Sequence, residues 1–96
     1  MSWRQVEGWL AEIDRLGVSR VARGAERSTV TREGFLQAYK RYPSRQKLTR
    51  AWARDGETWL ERRDNFVARH LAQYRIHPTY RRRLALIAWA YDPEAL

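Results

Sequence analysis

Cysteine is absent from the 96-residue sequence, so neither a disulfide framework nor a thiolate metal site can form. Histidine is scarce, with only His70 and His77, whereas a zinc site needs three or four converging ligands. Glycine-rich phosphate loops, nucleophile elbows and zincin spacings do not occur either. We therefore predict no catalytic residues, no metal, no cofactor and no enzymatic activity.

Long hydrophobic segments are also lacking. The longest apolar run, residues 84–91, has eight residues, far fewer than the roughly 20 needed to cross a bilayer. Residues 1–5 do not contain the apolar stretch typical of a signal peptide. Together with the absence of cysteine, these features predict a cytoplasmic protein that does not contact membranes.

Negative charge is scarce as well, with 11 Asp and Glu against 19 Lys and Arg, a net charge of +8. The excess is concentrated in residues 34–56, where six cations meet one carboxylate, Asp55, and give a local net charge of +5. A polyphosphate backbone would neutralise such a cluster and release counterions. The alternative is a solvated arginine-rich face neutralised by acids of the first helix. The six candidate nucleic-acid-binding residues of this segment are Lys40, Arg41, Arg45, Lys47, Arg50 and Arg54.

The apolar spacing predicts an all-α fold, a compact bundle of four to five short helices in a single domain of residues 1–96. Ser2 with Gln5, and Thr58 with Glu61, form capping boxes that begin two of the helices. Thr31, Ser44 and Thr79 are predicted to cap the others, and residues 25–30 read as a loop. A helix over residues 45–54 would turn Lys47, Arg50 and Arg54 outward and Leu48, Ala51 and Trp52 inward.

A second basic cluster begins the last helix, where Thr79 precedes Tyr80 and three consecutive arginines. The free N–H groups and the dipole of a helix N-terminus favour a phosphate or a base edge. The two last helices would form a helix-turn-helix-like pair, with residues 79–83 leading into the major groove. The alternative is a purely structural turn. The candidate nucleic-acid-binding residues of this cluster are Thr79, Arg81, Arg82 and Arg83.

The back of the last helix carries Arg82, Leu86 and Trp89 at helical spacing. An exposed Trp and Leu beside an Arg would anchor a protein partner, form the seam of a homodimer or bind an unstacked base. The alternative is that this apolar helix is buried on both faces.

These patterns favour a small basic accessory or regulatory protein that binds nucleic acid, as a monomer or a homodimer. We prefer DNA over RNA because a leading helix suits the major groove of DNA. The alternative function is that of a protein-interaction module or inhibitor, for example from a mobile element. Such a module would dock its Arg- and Trp-rich face on the acidic surface of a larger machine.

Overall fold

The computed structural model describes residues 1–24 and 33–95 of the chain. The predicted cap at Thr31 and the predicted loop over residues 25–30 lie outside the described residues. The described part is mainly α-helical, as predicted, but it has more and shorter helices than expected and one small antiparallel hairpin. In chain order the elements are α1 (Trp3–Glu7), α2 (Leu10–Leu16), α3 (Arg20–Arg23), α4 (Phe35–Arg41), α5 (Arg45–Leu48), β1 (Trp52–Arg54), β2 (Glu57–Thr58), α6 (Trp59–Ile76) and α7 (Tyr80–Ile87).

Side-chain caps begin α1, α5, α6 and α7 where the sequence predicts them, whereas α4 begins at Gly34 without a side-chain cap. Both capping boxes form, Ser2 with Gln5 on α1 and Thr58 with Glu61 on α6. Thr79 Oγ accepts from the backbone N–H of Arg82 at 3.1 Å and begins α7. Each cap satisfies backbone N–H groups that have no partner within their helix, so these helix starts are fixed by local sequence.

The predicted helix over residues 45–54 is wrong after Leu48. The chain turns at residues 49–50, and β1 then pairs with β2 around the Asp55-Gly56 turn, where Gly56 has a φ of +78°. Aspartate followed by glycine is a strong hairpin signal, because the turn favours positive φ.

Burial in this segment alternates with a period of two, which is the pattern of a strand rather than of a helix. Ala51 and Ala53 are buried, whereas Arg50, Trp52 and Arg54 are exposed. Trp52, predicted to point inward, is 50% exposed. We refer to Arg50, Trp52 and Arg54 as the hairpin row.

The core is built around stacked aromatic rings. The ring of Trp89 lies 4.9 Å from that of Phe35, 4.7 Å from that of Phe66 and 6.2 Å from that of Trp59. Helix α7, which carries the chain into this cluster, buries Leu84, Leu86 and Ile87. Because α7 is central, α6 packs one face against it and leaves the other face at the surface.

Candidate nucleic-acid interface

One face of α6 carries a continuous stripe of mostly polar side chains that reach the surface. Its residues recur every three or four positions and therefore lie on one side of the helix. The stripe is roughly 16 Å long, at 1.5 Å per residue. It forms the floor of an open groove. The residues of the stripe are Arg62, Asn65, Phe66, Arg69, His70 and Gln73.

The groove consists of three adjoining depressions of about 470, 410 and 300 Å³. The first two share Arg62 and Arg69, and the second and third share Ser19 and His70, so they form one continuous surface. The hairpin borders one end of the groove, α3 borders its middle, and the first turn of α7 borders the other end. We call this surface the basic groove, because six arginines line it: Arg20, Arg54, Arg62, Arg69, Arg81 and Arg82.

Negative charge in the basic groove is confined to one end. Glu57 is the single carboxylate among the described lining residues, and its Oε1 lies 3.3 Å from Nε of Arg54 and 3.9 Å from Nε of Arg62. Within residues 1–24 and 33–95, Arg69, Arg81 and Arg82 have no carboxylate contact. Arg81 and Arg82 donate instead to the backbone carbonyls of residues 16 and 77, at 2.7 and 2.9 Å. The positive potential is therefore greatest in the middle and at the α7 end of the groove.

The surroundings of His70 reflect this positive potential. Its half-buried ring stacks on Phe66 with 3.8 Å between the ring centroids. Burial lowers the pKa of His70 below its usual value of 6.5, and the positive charges of Arg69 and Arg82 lower this pKa further. A bound anion would reverse the effect of the two arginines.

Ser19 lies where the central depression meets the depression at the α7 end. Its φ of 49° lies in the left-handed region, which is costly for a residue other than glycine. The indole Nε1 of Trp89 donates to Ser19 Oγ at 2.7 Å and holds the residue in place. Because this oxygen accepts from Trp89, the hydroxyl hydrogen of Ser19 remains available as a donor.

The six candidates of residues 34–56 do not form one surface without counter-charges. Arg41 forms two hydrogen bonds with Glu33, at 2.5 and 2.7 Å. Arg45 forms two with Asp64, at 2.7 and 2.9 Å. Because Arg54 contacts Glu57, the interpretation that these cations lack acidic partners is wrong for three of the six.

The remaining three candidates are exposed but lie in different places. Lys40 borders a separate depression together with Asp14. Lys47 lies on α5 and Arg50 lies in the hairpin row. Of the six, only Arg54 lines the basic groove.

The cluster at the start of α7 is divided by the fold. Thr79 acts as the helix cap, while Arg81 and Arg82 are exposed at the end of the basic groove. Arg83 is held by two hydrogen bonds to Asp92, at 3.0 and 3.1 Å, and stacks over the ring of Trp9 at 5.0 Å. Arg83 therefore joins α7 to the C-terminal segment and does not belong to the groove.

The turn between α6 and α7 has the short length of a helix-turn-helix, but α7 cannot enter a major groove along its length. Only its first turn is exposed, because Leu84, Leu86 and Ile87 are fully buried. The predicted lead-in of residues 79–83 is this first turn, so the helix-turn-helix hypothesis stays a prediction that concerns the first turn alone.

The predicted partner-binding stripe of α7 is not available at the surface. Leu86 and Trp89 have exposures of 0% and 1%, and Arg82 alone of the three residues is exposed. The structure thus supports burial of α7 on both faces, and the stripe can form neither a partner anchor nor a dimer seam.

Sequence reasoning missed Arg20, Arg62, Arg69 and His70. The spacing of Arg62 and Arg69, seven residues apart, would have placed them on one face of a helix. For Arg20 no sequence signal is available, since tertiary packing alone brings α3 beside α6.

Comparison with known protein families, curated proteins and solved structures gives no match. Within the part of the chain that the structure describes, no group of three or more His, Asp or Glu side chains is placed to hold a metal ion. No helix of this part has both the length and the apolar character required to cross a membrane. A functional assignment therefore depends on the geometry and charge of the basic groove.

Proposed function

We propose that this protein binds nucleic acid through the basic groove and acts as a small accessory or regulatory protein without enzymatic activity. The observation that carries the proposal is the grouping of six arginines around one groove in which Glu57 is the single carboxylate among the described lining residues. A phosphate backbone lying along α6 would contact these side chains in turn and release its counterions. The hairpin row would extend this surface at one end.

The preference for DNA over RNA depended on α7 entering a major groove. Since only the first turn of α7 is exposed, the proposal covers both nucleic acids. A cytoplasmic location, where either nucleic acid is accessible, is part of the proposal.

A salt titration of Arg69→Ala tests the proposal. Arg69 lies at the middle of the basic groove, so its removal should weaken binding on all sequences and reduce the slope of log K against log salt by about 1. The measurement is fluorescence anisotropy with labelled oligonucleotides over a series of salt concentrations.

Arg75→Ala is the matched control. Arg75 is exposed on the same helix, but it lies on the opposite face from the stripe and lines none of the three depressions. Its removal should leave the slope unchanged. Equal slopes for both variants and the parent would contradict the assignment of the groove.

Binding should become tighter as the pH falls from about 7.5 to about 5.5, the range in which histidine titrates. In the free protein the pKa of His70 is lowered by burial and by Arg69 and Arg82. Phosphates that neutralise these arginines would raise the pKa of His70, so the complex takes up a proton and gains affinity at lower pH. The other cations that border the depressions around His70 are Arg20, Arg62 and Arg81.

The variants His70→Gln and His77→Gln separate this effect from general charging. The first should lose the pH dependence, which we expect to be an increase in affinity of about threefold when one histidine takes up a proton on binding. The second should keep it, since exposed His77 borders none of the described depressions. Pairs of binding curves at the two pH values measure the difference, and a parent affinity that does not change with pH would count against anion binding beside His70.

Docking on an acidic protein surface is the alternative function. It would use the same arginines, but its predicted anchors, Leu86 and Trp89, are buried. The predicted anchors therefore give no support to protein docking over nucleic-acid binding.

A further inference from the structure

Trp52 is the one tryptophan among the described residues that is largely open to solvent. It is 50% exposed, whereas Trp59 and Trp89 are 1% exposed and Trp3 and Trp9 are half-buried against the core. A large aromatic surface left in water forgoes the stabilisation that its burial would give. The fold nevertheless turns this side chain outward on a tight hairpin.

The neighbours of Trp52 are charged rather than apolar. Arg50 and Arg54 lie on either side of it in the hairpin row, while buried Ala51 and Ala53 point the other way. Arg54 lines the end of the basic groove, and Trp52 precedes it by two residues on β1, with an irregularity of strand register between them. Trp52 is therefore an exposed residue of the hairpin that borders one end of the groove, with an exposed arginine two residues away in each direction along the chain.

An exposed aromatic ring between cations, at the end of a groove lined with arginines, matches the chemistry of an unpaired strand. The cations contact consecutive phosphates while the ring stacks on a base, and every base offers a face for stacking. An apolar protein partner would require a wider apolar surface around Trp52, and the hairpin row does not provide one.

A duplex does not offer Trp52 a base to stack on, because its bases are paired and stacked inside the helix. Its major groove is about 12 Å wide and is read by an inserted α-helix. The only helix predicted to read such a groove, α7, is buried beyond its first turn.

We infer that the basic groove binds single-stranded nucleic acid, with Trp52 as the platform on which an unpaired base stacks. The inference rests on the proposed function and specifies its ligand. Trp52 contributes stacking rather than charge, so its removal should change affinity for a single strand without changing the number of phosphates neutralised.

The test compares the parent, Trp52→Ala and Trp52→Phe on three probes. The probes are a thymidine single strand of about 15 nucleotides, a uridine strand of the same length and a mixed-sequence duplex. The parent should bind both single strands at least tenfold more tightly than the duplex. Trp52→Ala should lose about tenfold on both single strands, keep the parent salt slope and bind the duplex as the parent does. Trp52→Phe should retain most of the affinity, because phenylalanine still offers a ring.

Tryptophan fluorescence gives a second measurement that is independent of affinity. Stacking of Trp52 should quench part of the emission when a single strand binds, and this quenching should disappear in Trp52→Phe while binding persists. Unchanged single-strand affinity of Trp52→Ala, an equal loss on all three probes, or tighter binding of the duplex by the parent would each overturn the inference. The Arg69→Ala salt slope separates the two proposals. If that variant still shows the reduced slope, the groove binds nucleic acid and only the role of Trp52 is wrong.

Discussion

Replacing Trp89 with alanine should lower the free energy of unfolding by about 4 kcal/mol, the usual range for removing a buried tryptophan. Trp89 is 1% exposed and stacks against Phe35 and Phe66, so the change would leave a large cavity at the centre of the core. It would also remove the Nε1 hydrogen bond that holds Ser19 in its left-handed conformation. A domain of this size has a total stability of about 5–15 kcal/mol, so the variant should be unfolded at a much lower denaturant concentration.

Urea unfolding followed by near-ultraviolet circular dichroism measures this loss, and Trp52→Ala is the matched control. Trp52 is 50% exposed, and substitutions at such positions usually change stability by less than about 0.5 kcal/mol. If Trp89→Ala unfolded at the same urea concentration as Trp52→Ala, Trp89 would not be the core residue described above. The partner-anchor interpretation of Trp89 would then regain support.

The parts of the fold that the sequence predicts correctly depend on neighbours along the chain. Ser2 and Gln5, or Thr58 and Glu61, are three residues apart, and the hydrogen bonds of a capping box form wherever a helix begins at the first of them. Gly17, with a φ of 62°, ends α2 for an equally local reason.

The hairpin escaped prediction because β1 and β2 are too short to show a clear alternation. Three residues of β1 and two of β2 give no periodicity that could be separated from a helical pattern. The Asp55-Gly56 pair is the one local signal, and the same pair is equally compatible with a break between two helices. The strand leaves Trp52 outside, where a helix would have turned it inward.

Only part of the candidate site could be predicted from the sequence, because the local net charge of a segment does not reveal which of its charges are paired. Asp64 neutralises Arg45 from 19 residues away, and Glu33 neutralises Arg41 from eight residues away. Tertiary packing decides these pairs. By the same packing, residues 81–82 come to lie beside a stripe of α6 whose own local net charge is low. The positions at which cations remain without carboxylate partners could therefore be identified only from the three-dimensional structure.

The largest effect on binding is expected from reversing two charges of the basic groove. In the double variant Arg69→Glu, Arg82→Glu, the two cations that act on His70 become carboxylates at the middle and the α7 end of the groove. Two phosphate contacts are lost and two repulsions are introduced, so affinity for single-stranded nucleic acid should fall at least about 100-fold at about 0.1 M salt. Fluorescence anisotropy measures the affinity, and near-ultraviolet circular dichroism verifies that the fold is intact.

A second double variant, Lys40→Glu, Lys47→Glu, changes the net charge by the same amount, from +8 to +4, outside the groove. Both lysines are exposed and belong to residues 34–56, the segment with the greatest local charge. If net charge alone attracted the nucleic acid, the two double variants would weaken binding equally, and the groove would have no special role. Because the lysines contact no phosphate in a strand lying along α6, their reversal should weaken binding by less than about tenfold, an effect of long-range attraction that salt screens. The difference between the two double variants therefore measures the contribution of arginine placement separately from the contribution of total charge.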